Sequence, residues 1–260
     1  MKATLKIFTA LTLLGLLIAV WGSVVHTGAA NAPPGEMVQF SAGGKDTASG
    51  FLVTPEKAGR HPAVVVIHAW WGLNDWVKEQ TAKLAAQGFV ALAVDLYGGH
   101  AATDSSEARN LRLGLKDDAA IRDTLGAYYY LASRNDVDRD RIGAVGWDMG
   151  GGYALKLAMY QPHLAACVVN YGALPTDPND IQQIVAPVLG NFGALDRGVL
   201  PADVNYFEKA MKNLNRRVDI KIYDDAGHGF ANPENNESYR PDAAADAWSR
   251  TIAFLNQTLK

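Results

Sequence analysis

Three side chains in this sequence have the types, order and settings of a hydrolytic relay. Asp148 is the centre of Gly146-Trp147-Asp148-Met149-Gly150. An apolar run, Ile142 to Val145, leads into it, and a helix-like run, Gly151 to Tyr160, leads away. Strand, sharp turn and helix is the arrangement that lifts a nucleophile clear of a sheet, and small residues two positions before and after it let the backbone turn that tightly. Asp196 follows the apolar run Pro187 to Phe192, in Gly193-Ala194-Leu195-Asp196-Arg197-Gly198. His228 follows Val218 to Tyr223, in Asp225-Ala226-Gly227-His228-Gly229-Phe230. Taken singly, Asp196 reads as a turn former and His228 as a loop residue. Together, each at a strand end and in the order nucleophile, acid, histidine, they read as a triad in which the imidazole moves a proton and the acid fixes its tautomer. Asp224 and Asp225 are rival acids, but they stand where the strand ends. The backbone N–H groups of Met149, directly after the elbow, and of Trp70, in His68-Ala69-Trp70-Trp71-Gly72, are the expected oxyanion donors.

Such a constellation needs a sheet that brings several strand ends to one edge. Met37 to Ser41 and Ala48 to Thr54 read as a hairpin around Gly43-Gly44. Val64 to Ile67 and Phe89 to Val94 are continuous apolar runs, the pattern of strands buried on both faces. Ala165 to Asn170, Pro187 to Phe192 and Val218 to Tyr223 are further strands. Helices are expected at Trp76 to Gln87, Asp117 to Ser133, Asp203 to Leu214 and Pro241 to Leu259. The stretch from Gly98 to Leu115 reads as loop with some helix, and carries no residue that decides a substrate. Strands alternating with helices imply an α/β fold with a doubly wound, mostly parallel sheet. No insertion is long enough for a large cap domain.

Bulk composition bounds the rest. The chain has 260 residues, 48% hydrophobic and 20% charged, enough for one core of good size. A net charge of −3 offers no basic footprint for nucleic acid. Neither metal-ligand spacing nor a phosphate loop is present, so no metal or organic cofactor is expected, and the expected partner is a small-molecule substrate. Cys167 is the one cysteine and lies in an apolar run, where it reads as buried filler. Lys2 and Lys6, an apolar run from Ile7 to Val20 and small residues at Gly28, Ala29 and Ala30 give the order of a secretory signal over residues 1–30. An uncleaved N-terminal anchor is the alternative. A Pro/Gly linker over residues 31–35 and a catalytic domain over residues 36–260 follow, with a periplasmic or secreted location expected.

At several of these segments the chain resembles the dienelactone hydrolase (carboxymethylenebutenolidase) family. The matching stretches are Val65 to Asn74, Asp95-Leu96-Tyr97-Gly98-Gly99, Val145 to Gly152, Phe192 to Arg197 and Ala226 to Phe230. The resemblance implies a single-domain α/β-hydrolase fold, activity on small esters or lactones, and an exported bacterial branch. It places Ala69, Trp71, Tyr97 and Asn232 around the substrate. It also exposes departures. The family's elbow nucleophile is cysteine, where this chain has Asp148; its strand-end glutamate aligns with Ala69. The family arginines that hold a substrate carboxylate fall near Gly99 or His100 and at Asn232. Loss of the glutamate relieves a like-charge conflict that would otherwise keep one carboxylate protonated.

An aspartate at the elbow leaves three readings open. The first is a hydrolase of small esters or lactones, with activated ones the easier substrates, because a tetrahedral adduct expels a carboxylate far more readily than a simple alkoxide. The second is displacement at a carbon–halogen or epoxide bond through an ester of Asp148, with Trp70, Trp71 and Trp147 as indole donors to a departing halide. The third is a catalytically silent binding protein on the same scaffold.

Overall fold

Runs of β-branched residues fill the centre of the sheet because both of its faces are covered. In the computed structural model, residues 34–44 and 46–260 are described. The strands are β1 (Glu36–Ser41), β2 (Thr47–Val53), β3 (His61–Ile67), β4 (Val90–Asp95), β5 (Val137–Trp147), β6 (Ala166–Asn170), β7 (Val188–Gly193) and β8 (Val218–Tyr223). They form one sheet in the order β1-β2-β4-β3-β5-β6-β7-β8. β1 pairs antiparallel with β2, and β2 antiparallel with β4; every pairing from β4 to β8 is parallel. This is the α/β-hydrolase architecture expected from the sequence.

The helices are α1 (Asp75–Ala86), α2 (Ser105–Gly114), α3 (Asp117–Ser133), α4 (Met149–Tyr160), α5 (Pro178–Gln183), α6 (Pro201–Asn213) and α7 (Pro241–Leu259). Side chains alternate across each strand, so the sheet divides the apolar interior in two. Val65, Ile67 and Leu92 face a core shared with α3, α4 and α6 through Leu131, Leu157 and Phe207. Val64, Val66 and Ala91 face a second core closed by α1 and α7 through Leu84 and Leu255.

β3 begins at His61, three residues ahead of the run read from Val64, and two other differences from the sequence reading are larger. β5 starts at Val137, ahead of the apolar run, because Asp138, Arg139, Asp140 and Arg141 interrupt the pattern while the backbone stays extended. Its register against β3 shifts between His61 and Ala63. The stretch read as loop with some helix contains α2, opened by Asp104, whose carboxylate accepts from the N–H groups of Ser106 and Glu107. The short α5 was not expected; its six residues are too few to show a period. The secretory signal or anchor expected over residues 1–30 lies outside the described residues, as do residues 31–33 of the expected linker. Among the described residues, no helix is long and apolar enough to cross a membrane.

Parallel pairing sends β3, β5, β7 and β8 the same way. The segments that leave their carboxyl ends therefore share one edge: His68 to Trp71, Asp148, Asp196 and His228.

Candidate active site

Asp148 sits between β5 and α4 with φ 52° and ψ −120°, a conformation non-glycine residues seldom adopt. The surroundings hold it there. Its N–H donates to the carbonyl of Asn170 at 3.0 Å, and its own carbonyl accepts from Gly151 N–H at 3.0 Å. The Asn170 side chain donates to the carbonyl of Gly146, fastening β6 to the strand below the turn. A Cβ on Gly146 would strike the carbonyl of Gly150, and one on Gly150 would strike the carbonyls of Ile67 and His68. Close approach, not flexibility, is why glycine occupies both positions.

From this turn the side chains converge. His228 Nε2 lies 2.9 Å from Asp148 Oδ1, and His228 Nδ1 lies 2.8 Å from Asp196 Oδ2. The other oxygen of Asp196 accepts from the N–H groups of Gly198 at 2.7 Å and Val199 at 3.0 Å. Its side chain is fully buried. Burial works against a charge on His228, but hydrogen bonds to Asp148 and Asp196 outweigh it and push the imidazole up to about 10. Burial also penalises the Asp196 anion, yet the His228 hydrogen bond and the two backbone donors hold its carboxyl below the usual range. At neutral pH His228 therefore rests as the imidazolium, with the Asp196 anion behind it.

Trp70 N–H donates to Asp148 Oδ2 at 3.2 Å, so this expected oxyanion donor holds the second oxygen of the elbow carboxylate. Met149 is the first residue of α4, and its N–H has no acceptor within the helix. The loop that presents Trp70 is fixed by buried His68. Leu96 N–H donates to its Nε2 at 3.1 Å, so Nδ1 carries the proton and donates to the carbonyl of Ala69 at 2.7 Å. Burial lowers the His68 pKa, which keeps the ring neutral and suited to that double role.

The model of the dienelactone hydrolase family matches residues 48–259. The chain belongs to the dienelactone hydrolase family. A protein of Bradyrhizobium sp named a probable 2-oxo-3-(5-oxofuran-2-ylidene)propanoate lactonase is 34% identical, over 79% of this chain and 87% of that protein. A Saccharolobus solfataricus protein with the provisional name carboxymethylenebutenolidase is 32% identical, over 81% of this chain and 94% of that protein. Among solved structures, a dienelactone hydrolase-like promiscuous phosphotriesterase from metagenomic libraries superposes with a TM-score of 0.80 at 26% identity, covering 87% of this chain and 99% of that one. By family the protein is a hydrolase.

For a dienelactone hydrolase family member, the surroundings of Asp148 are specific. A cleft of about 380 Å³ is walled by Trp70, Arg112, Met149, Tyr171 and Val199 around Asp148 and His228. Ala69, Trp71 and Asn232 line a smaller recess that also touches Asp148 and His228. Tyr97, expected to face substrate, stands behind the cleft wall instead. Its ring packs on His68, and its hydroxyl lies 3.4 Å from the sulfur of Met149. Trp147 is a second correction: it is buried and packs edge-on against Trp76, so its indole cannot serve a halide leaving from Asp148. Cys167 is fully buried in β6, and burial pushes its thiol well up, so it is no substitute nucleophile.

Tyr171 and Arg112 are cleft residues that escaped the sequence reading. Tyr171, one step past β6, has φ 42° and sets its ring edge-on to His228 at 5.4 Å. Arg112 projects from α2. A signal for it did exist: no acid stands three or four residues to either side, so no helical neighbour neutralises it.

Proposed function

We propose that this protein hydrolyses small activated esters and lactones through a covalent anhydride on Asp148. The observation that carries the reading is the unbroken hydrogen-bond chain Asp148–His228–Asp196, mounted on a positive-φ turn. Asp148 Oδ1 attacks the acyl carbon. The oxyanion forms beside the Met149 and Trp70 N–H groups, the latter released as the carboxylate turns toward substrate. Collapse breaks the bond to the leaving oxygen, which takes the Nε2 proton of His228. Neutral His228 then accepts a proton from water as that water attacks the acyl carbon of the anhydride, and Asp148 departs as carboxylate. Asp196 keeps the ring oriented and stabilises its charged form.

Leaving-group chemistry sets the substrate range. A carboxylic acid and an alcohol near water differ by more than about 10 pKa units, so ordinary alkyl esters revert to starting material. A phenol narrows the gap to roughly 6 units, and an imidazolium donor at hand narrows it further. Enol lactones belong to this activated class, and the Bradyrhizobium relative is named for one. Carbon–halogen displacement has less support, because Trp147 does not reach the cleft.

Acid-quenched mass spectrometry during turnover of an aryl ester tests the reading. One acyl group should appear on the peptide containing Asp148, and Asp148→Asn should lower turnover by about 10³-fold or more. Aryl ester hydrolysis that survives Asp148→Asn would remove the residue from the nucleophile role. An adduct from a haloacid but not from an ester would favour displacement at saturated carbon. No turnover of any of these substrates would leave a binding scaffold.

A further inference from the structure

The geometry points to Arg250, Asn191 and Asn170 as positioning residues that brace the backbone of the elbow from α7. This rests on the reading of Asp148 as nucleophile and extends it to what keeps Asp148 in place. Asn170 closes β6 and is the register partner of Asn191 on β7. Both side chains are buried, and Asn170 lines a small recess with Trp147, Ala247 and Trp248 on the α7 side of the sheet. An amide buried without partners is costly, so two of them in an apolar layer call for a reason. Each is used in one continuous chain. Arg250 Nε–H donates to Asn191 Oδ1 at 3.3 Å, Asn191 Nδ2 donates to Asn170 Oδ1 at 3.0 Å, and Asn170 Nδ2 donates to the carbonyl of Gly146 at 3.2 Å. At the outer end Arg250 is paired with Asp219 at 3.0 Å.

The direction of this chain is fixed at both ends. A guanidinium only donates and a carbonyl only accepts, so each amide between them has one workable orientation. Turning either amide over would set like groups against each other. The inner end grips the elbow twice. The side chain of Asn170 holds the carbonyl of Gly146, two residues before Asp148, and its backbone carbonyl accepts from Asp148 N–H at 3.0 Å. Asn191 adds a second hold, because its backbone carbonyl accepts at 2.8 Å from the N–H of Tyr171, whose ring lies edge-on to His228. The two asparagines thus secure both the turn that carries Asp148 and a residue that packs on His228. A φ of 52° at Asp148 persists only where the surroundings over-determine it. Any residue could supply the backbone bonds at these two positions; the side-chain links to Gly146 and to Arg250 need the amides. Without them the turn is free to relax, and Asp148 Oδ1 to draw away from His228 Nε2.

Substitution of Asn170 itself risks the fold, so the test begins at the outer end of the chain, in the intact protein. Arg250→Met removes the donor that orients Asn191. It should lower kcat for p-nitrophenyl acetate by about 3- to 10-fold with KM unchanged, the range of one neutral hydrogen bond. Arg250→Lys can still donate to Asn191 and should keep most of kcat. Asn191→Asp keeps the acceptor for Arg250 but loses the donor toward Asn170, and should fall as Arg250→Met does. Arg217→Met removes a different contact of α7, the bond to Gln257 at 2.6 Å, and should leave kcat as it is. Proton NMR of the resting protein gives a second readout. A retreating Asp148 lowers the His228 pKa, so Arg250→Met and Asn191→Asp should both show that fall, and Arg217→Met should not. Loss of stability in urea with kcat and the His228 titration unchanged would mean that these side chains only hold strands together, and would overturn the assignment. So would equal kcat losses in Arg250→Met and Arg217→Met, or a lower His228 pKa with kcat untouched. The NMR readout needs no turnover. If no form of the protein hydrolyses the ester but the His228 pKa falls in these variants, the brace stands and the hydrolytic reading falls.

Discussion

Both ring nitrogens of His228 face carboxylate oxygens, so the ring serves both neighbours only when both nitrogens carry protons. A neutral imidazole would turn a lone pair toward one of the two anions. The folded protein therefore binds a proton that the unfolded chain releases at an ordinary histidine pKa near 6.5. Because the folded value is raised, to about 10, the stabilisation is complete below pH 6.5, declines between 6.5 and 10, and is lost above. The His228 side chain is 41% exposed, so solvent screening reduces its contribution to on the order of 2 kcal/mol. Thermal melting between pH 6 and pH 10 should show a falling midpoint, with a smaller fall in Asp148→Asn, where one anion is removed. Proton NMR of the ring should show a lower His228 pKa in that variant. Equal melting profiles for the two proteins would mean that Asp148 does not hold the proton on His228.

At the scale of elements, the elbow depends on how closely α4 approaches the end of β3. Gly150 fills that contact, and a methyl there meets the backbone carbonyls of Ile67 and His68, which cannot rotate away. Gly150→Ala should cost about 1–3 kcal/mol and push the Trp70 loop off Asp148, with loss of ester turnover. Gly152, two positions on, is the control. A Cβ there meets Ala173 O at an ordinary 3.6 Å, so Gly152→Ala should be neutral or stabilising by up to about 1 kcal/mol. Chemical denaturation of both variants measures the contrast, and equal losses would contradict it. The same local rules explain what the sequence disclosed. α3, β8 and α7 were readable at their bounds, because apolar period and flanking breaks agree there. The start of β5 was hidden because four charged residues, Asp138 to Arg141, stand between Val137 and the apolar run, where the register against β3 shifts. Asp148, Asp196 and His228 were readable as types at strand ends. Tyr171 was not, since its importance comes from a backbone twist after β6; for Arg112 the sequence offered only the lack of a helical acid partner, while its place at the cleft depends on where α2 is laid.

For the whole molecule, the sheet acts as a partition between two apolar cores. Leu131 of α3 is fully buried on one side and Leu255 of α7 on the other. Truncating either to alanine leaves a cavity walled by close-packed neighbours, at a cost of about 3 kcal/mol. In a domain of this size that corresponds to a fall of roughly 6–12 °C in melting temperature for each single variant. The two sites share no partner cluster, and six strands of parallel ladder lie between the layers, so relaxation around one cavity should not reach the other. The double variant should therefore lose the sum of the single losses to within about 0.5 kcal/mol. Urea unfolding of the two single variants and the double variant closes the cycle. A coupling well above that value would show that the sheet transmits strain from one core to the other, and the elbow, which is rooted in the middle of the sheet on β5, would then feel changes made on either face.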